Sequence, residues 1–247
     1  MPLAPYNCEL LTDLTVRHAL GGRIGFLGRL WPSTVTLGSV RDTLARHGLF
    51  PSVEAVSLTN DNFVNDKALM KLLGYNECIA IDFDDSEGAE ITHDLNRVPP
   101  DNNYIKYLDV VYNNGTLEHI FNVPNVLNNI FMYLADGGVV IHSAPANNMV
   151  EHGFYQFSPT FFYDYYSENN FDILECRIVE HDFSGSVHKY KSWEFRTYDH
   201  LPDPLYGKLG GEGKVHDVIF VARKRSKSTG DRTPTQFRYR KTAPNQT

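Results

Sequence analysis

Residues 108–147, LDVVYNNGTLEHIFNVPNVLNNIFMYLADGGVVIHSAPAN, decide the fold. LDVVY reads as a buried strand, NNGTLEHIFN as a polar turn, VPNVLNNIFMYLADGG as an amphipathic helix and VVIHSAP as a second strand. Strand, helix and strand in that order form half of a βαβ unit. The glycine-containing turn stands at the first strand's carboxyl end, where open α/β sheets bind their ligands.

The same alternation runs on either side. EAVSL (54–58), ECIAIDF (77–83), FDILECRIVEH (171–181) and VHDVIFVAR (215–223) read as strands, and VNDKALMKLLGY (64–75) as a helix stopping at Gly74. Ser158-Pro159 opens another helix, TFFYDYYSENN, with a cap and a proline at its first position. This order predicts an α/β, Rossmann-like, mostly parallel seven-stranded sheet with helices on both faces and an antiparallel last strand. Residues 1–50 are poorly periodic. Apart from a helix in TLGSVRDTLARHGL (36–49), they read as a cap or lid before a core at 51–222. Residues 223–247 carry eight Lys and Arg up to Lys241 against Asp231 alone, with few apolar side chains, and read as a basic flexible tail. The sharper alternative for that tail is a clamp on an anionic partner.

Composition bounds the function. The chain has 247 residues, 42% hydrophobic, which supports one sizeable core. Its net charge of -7 makes nucleic acid an unlikely partner. No run approaches the roughly 18 apolar residues of a membrane span. Cys8, Cys78 and Cys176 are odd in number and far apart, so a reduced, cytoplasmic protein is expected. Self-association stays open.

Several polar residues stand where chemistry is expected. Asp82 ends a strand, and a carboxylate there can accept from two vicinal ribose hydroxyls. Asp94, in HDLN, can read an adenine edge or simply make a turn. Asn113, Asn114 and Gly115 form the turn after LDVVY, and Gly115 permits close backbone approach. Thr116 could cap the following helix. Glu118 and His119 come next; a histidine in the cleft could act as general base. His152, Tyr155 and Gln156 lie among aromatics, as in a pocket wall. His119, His142, His152 and Glu118 could be gathered around a metal, but no HExxH spacing supports it. No GxSxG elbow or GxxxxGK[ST] loop occurs.

Taken together these pieces resemble the class I S-adenosylmethionine-dependent methyltransferases. The residues that carry the resemblance are LDVVY, LEH at 117–119, YLADGG at 133–138, SAP at 143–145, IDF at 81–83, HDLN at 93–96 and the FSP-helix-NNF segment at 157–171. They cover roughly residues 50–222 and look closest to a small-molecule subgroup associated with glycans or specialised metabolites.

The resemblance implies methyl transfer from S-adenosylmethionine to a small polar acceptor, such as an oxygen of a sugar or nucleotide-sugar, with no metal required. It assigns Thr59, Asn60, Asp82, Phe83, Asp94, Leu95, Asn113, Asn114 and Gly115 to the cofactor. His119 or His152 would serve as base with Glu118 orienting, and Asn147, Tyr155 and Gln156 would contact substrate. The family's ExGxGxG turn is read here as SLTNDNF (57–63), which has no glycine. The alternative is therefore a degenerate, non-catalytic scaffold. A macromolecular methyltransferase using the basic tail and a nicotinamide oxidoreductase are further options, the last lacking GxGxxG.

Overall fold

The computed structural model describes residues 3–51, 62–98, 102–149, 151–182, 189–194 and 214–240. Their elements run α1 (Pro5–Arg17), β1 (Gly22–Leu27), α2 (Leu37–Arg46), α3 (Asp66–Leu72), β2 (Tyr75–Asp82), β3 (Ile91–Thr92) and β4 (Leu108–Asn114). Then come α4 (Val123–Tyr133), β5 (Leu134–Asn147), α5 (Pro159–Glu168), β6 (Asp172–Asp182), β7 (Lys189–Glu194), β8 (Lys214–Arg223) and α6 (Phe237–Arg240). One sheet holds all the strands in the order β3-β2-β1-β4-β5-β8-β6-β7. The first five strands of that list pair in parallel. β8 is antiparallel to both β5 and β6, as expected of the last strand. β7 extends the expected seven strands by pairing antiparallel along the edge of β6.

Two apolar layers cover the sheet. α4 and α5 bury Val126, Leu127, Ile130, Phe162 and Tyr166 on one face. α1, α2 and α3 bury Leu11, Leu14, Val40, Leu44 and Leu69 on the other. β8 serves both by strict alternation: Val218, Phe220 and Ala222 face the first layer, Ile219 and Val221 the second.

Two expectations about the ends of the chain are corrected. Residues 1–50 are not a cap or lid: they supply the central strand β1, between β2 and β4, and two helices of one layer. EAVSL, read as the first strand, lies outside the described residues. β1 escaped notice because it contains Gly22 and Gly25, and glycine weakens strand propensity. Gly25 is required by packing, since a Cβ there would collide with the Leu108 side chain. α1 hid its period because polar residues point inward and are satisfied there. Asn7 donates to Asn114 Oδ1 (3.2 Å), Thr12 to Cys8 O (2.7 Å), and Thr15 bonds the Tyr75 hydroxyl (3.1 Å).

The expected basic tail is held down over residues 224–240. Lys224 is buried, its ammonium donating to Phe131 O (2.8 Å) and Leu134 O (2.6 Å). Asn169 Oδ1 accepts from Thr229 Oγ1 (2.8 Å) and Arg232 N (3.1 Å), and Tyr165 donates to Gly230 O (2.7 Å). Charge count alone could not reveal partners so far away in the chain.

Candidate active site

The ends of β1, β2, β3 and β4 open on a crevice of about 340 Å³. Parallel strands bring their carboxyl ends to one edge, and connections leave to opposite faces on either side of β1 and β4, so a gap opens there. The volume lies within the ~300–1,000 Å³ usual for small-molecule sites.

The floor is made by two glycine turns pinned together. Gly28 follows β1 with φ +76°, and its N–H donates to Ile81 O (2.8 Å). Thr116 does not cap a helix; its hydroxyl donates to Leu27 O (2.5 Å), tying the β4 turn to the β1 turn. A Cβ at Gly28 would stand 2.9 Å from that hydroxyl and 3.8 Å from Asp82 Oδ2, filling the space between them. Gly115, with φ +67°, completes the floor. The turn after the first strand therefore does contain glycine. That turn is at Gly28, after β1, and not at SLTNDNF. Thr59 and Asn60 lie outside the described residues.

On the β2 and β3 side, Asp82, Phe83, Asp94 and Leu95 all line the crevice. Asp82 Oδ1 accepts from Phe83 N (2.7 Å), and Phe83 leaves its ring exposed beside it. Asp94 is already occupied: Oδ1 accepts from Asn96 N and Nδ2 (3.0 Å each) and Oδ2 meets Arg97 Nε at 3.2 Å. The Asn96 hydrogen bonds hold its carboxyl below the usual range. This is the turn geometry of HDLN. Arg29, which the sequence reading missed, also lines the crevice, but its guanidinium is clamped on the buried Asp66 carboxylate (2.8 and 2.9 Å).

Asn113 and Asn114 do not line the crevice. Both are buried behind it, where their side chains shape the turn: Asn113 Oδ1 accepts from Leu117 N (3.0 Å), and Asn114 Oδ1 accepts from Tyr112 Oη (3.1 Å). Strand alternation turned them into the core. His142 is likewise interior, bonded to Tyr166 Oη (2.6 Å) and Asn113 Nδ2 (3.2 Å), and burial drives its pKa down to about 3.

His119 lines the crevice, and Glu118 and His152 gather beside it without lining the crevice themselves. Glu118 sits in the 3-10 turn Leu117–His119, fully buried, and neither carboxylate oxygen has a hydrogen-bond partner. Its Oε1 is 3.9 Å from His119 Nε2 and 3.4 Å from His152 Nε2, and the two imidazole rings are 4.9 Å apart. Burial, with Asp217 adding repulsion, pushes the Glu118 carboxyl up to about 7. Burial and then His152 push the His119 imidazole down, which favours its neutral form. Gly153 permits the contact. A Cβ there would meet Glu118 O at 2.8 Å, and Phe154 N donates to that same oxygen (2.8 Å).

The remaining expected substrate contacts do not line the crevice. Tyr155 donates to Phe121 O (2.9 Å), Gln156 Oε1 accepts from Met149 N (3.1 Å), and Asn147 ends β5 in solvent. Phe121 and Phe154 are 69% and 65% exposed and lie edge to face 5.6 Å apart.

No family model and no curated protein matches the chain. Solved structures do. A SAM-dependent methyltransferase from Thermotoga maritima is 15% identical, over 90% of this chain and 91% of that one, with TM-score 0.41. A 1,6-didemethyltoxoflavin-N1-methyltransferase from Burkholderia thailandensis, with bound S-adenosylhomocysteine, is 11% identical over 90% and 78%, TM-score 0.39. The CurJ carbon methyltransferase is 13% identical over 89% and 54%, TM-score 0.47. Identities and scores of this size leave the site to be read from its own geometry.

Proposed function

We propose that the chain is an S-adenosylmethionine-dependent methyltransferase acting on a small polar acceptor, an oxygen of a sugar, nucleotide-sugar or related metabolite. The observation that carries the reading is the crevice at the β1 and β4 strand ends, with Gly28 below and the Asp82 carboxylate beside it. An antiparallel β8 between β5 and β6 sets the sheet apart from the all-parallel 3-2-1-4-5-6 order of dinucleotide-binding folds, which speaks against a nicotinamide enzyme.

The residues suit this cofactor. Asp82 would accept from ribose hydroxyls through Oδ2, Gly28 would let the backbone approach, and Phe83 would cover a flat base. When bound, S-adenosylmethionine supplies an electrophilic methyl group. The protein's own work is to hold two reactants in line, worth roughly 7–11 kcal/mol of barrier, and to accept a proton. His119 lines the crevice and would be the base, burial pushing its imidazole toward the neutral form; Glu118 and His152 stand beside it. Phe121, Phe154 and Tyr155 would pack on the apolar face of a sugar.

Titration calorimetry with S-adenosylmethionine and S-adenosylhomocysteine tests this. Micromolar binding is expected for both. Absence of heat at millimolar ligand would overturn the reading in favour of the non-catalytic scaffold.

A further inference from the structure

We propose that Glu118, His119 and His152 form a binding site for a divalent transition cation of the zinc class. Each residue offers one donor atom, and the three atoms lie within 4.8 Å of one another. With metal–ligand distances of ~2.0–2.2 Å, tetrahedral geometry puts donor atoms roughly 3.4 Å apart. The Glu118 Oε1 to His152 Nε2 distance is already 3.4 Å, and the Glu118 to His119 distance of 3.9 Å is within a small ring rotation. Both imidazoles are partly exposed (46% and 41%) and can turn, whereas Glu118 is fixed.

The independent observation is Glu118 itself. A fully buried carboxylate with two unbonded oxygens is costly to leave alone, since buried charges are normally paired or bound to metals. Among the described residues, the groups ion-paired with it are the two imidazoles, with no lysine or arginine. The loop carrying His152 is held against it by the glycine contact at Gly153 and the Phe154 N–H bond. Donor chemistry selects the ion. Two imidazoles and one carboxylate suit zinc, cobalt, nickel or iron; magnesium and calcium prefer all-oxygen sites. Three protein ligands leave a coordination position open, the pattern of reactive rather than structural sites. His119 lines the crevice, so that position would face an acceptor oxygen and lower its proton affinity. The cation would then take over from His119 the task of activating the acceptor.

The inference does not rest on methyl transfer and is tested without S-adenosylmethionine. The 247-residue chain, stripped with chelator, is titrated with Co²⁺ by calorimetry and visible absorption. Expected are one Co²⁺ per chain and the intense absorption of low-coordinate cobalt, with displacement by Zn²⁺ and no response to Mg²⁺. His152→Ala, His119→Ala and Glu118→Gln should each weaken binding by more than the ~10–100-fold that an outer-shell change costs. His152 and His119 are exposed enough for their variants to keep the fold, which circular dichroism checks. No saturable Co²⁺ binding, or binding of unchanged affinity in both histidine variants, would overturn the proposal.

Discussion

Asp82 lines the crevice and Glu118 is buried next to His119, which also lines it, and their surroundings make the two carboxylates different reagents. Asp82 ends β2 half-exposed, with one oxygen on the Phe83 N–H and no protein donor on the other among the described residues. Glu118 is fully buried with neither oxygen bonded. The first is open to water and offers an oxygen to hydroxyl groups, while water is denied to the second. The second holds its proton near neutrality unless positive charge arrives. One carboxylate is therefore suited to holding a ligand and the other to moving a proton or holding a cation.

The largest effect that could break this division is on turnover. His119→Ala should lower kcat by ~10²–10⁴ while leaving S-adenosylmethionine affinity within twofold. If affinity falls as much as kcat, the Glu118 cluster is a binding cluster too and the division fails. The mirror experiment is Asp82→Ala. Hydrogen bonds to a charged group are worth roughly 1.5–3 kcal/mol, so cofactor Kd should rise by ~10–100-fold with the fold intact. An unchanged Kd by calorimetry would remove Asp82 from that role. Gly28→Ala introduces a Cβ 2.9 Å from the Thr116 hydroxyl at a φ of +76°. A loss of ~1–3 kcal/mol of stability in a denaturant titration is expected, together with weaker cofactor binding.

The surroundings of the two carboxylates also differed in how far they could be read from residues alone. Asp82, Gly115, Glu118 and His119 follow apolar strands directly, so period and position were enough to bring them to one edge. The contact of Glu118 with His152 spans 34 positions of chain and depends on a loop seated through Gly153, which no local pattern announces. Asn113 and Asn114 belong to the same motif as Gly115. The pleat turns them into the interior, where the polar groups of α1 and β5 satisfy them. The first turn was misplaced for a different reason: Gly25 is a packing requirement of Leu108, and a strand thinned by such glycines looks like a loop until its neighbours are known.

A second buried group separates the effect of burial from that of position. His142 lies behind the crevice in β5, fully enclosed, with its pKa down to about 3. The unfolded chain takes up a proton at this residue near pH 6.5; the folded chain refuses it until about pH 3. The contribution is thus complete above pH 6.5 and is lost as pH falls from there toward 3, by up to ~1.4 kcal/mol per unit. His142→Gln should flatten that part of the acid-unfolding curve, followed by tryptophan fluorescence, and leave cofactor affinity at neutral pH within a factor of about two. An unchanged acid slope would mean that His142 gains solvent before global unfolding. The distinction between a cluster that titrates for function and an interior that merely excludes charge would then need redrawing.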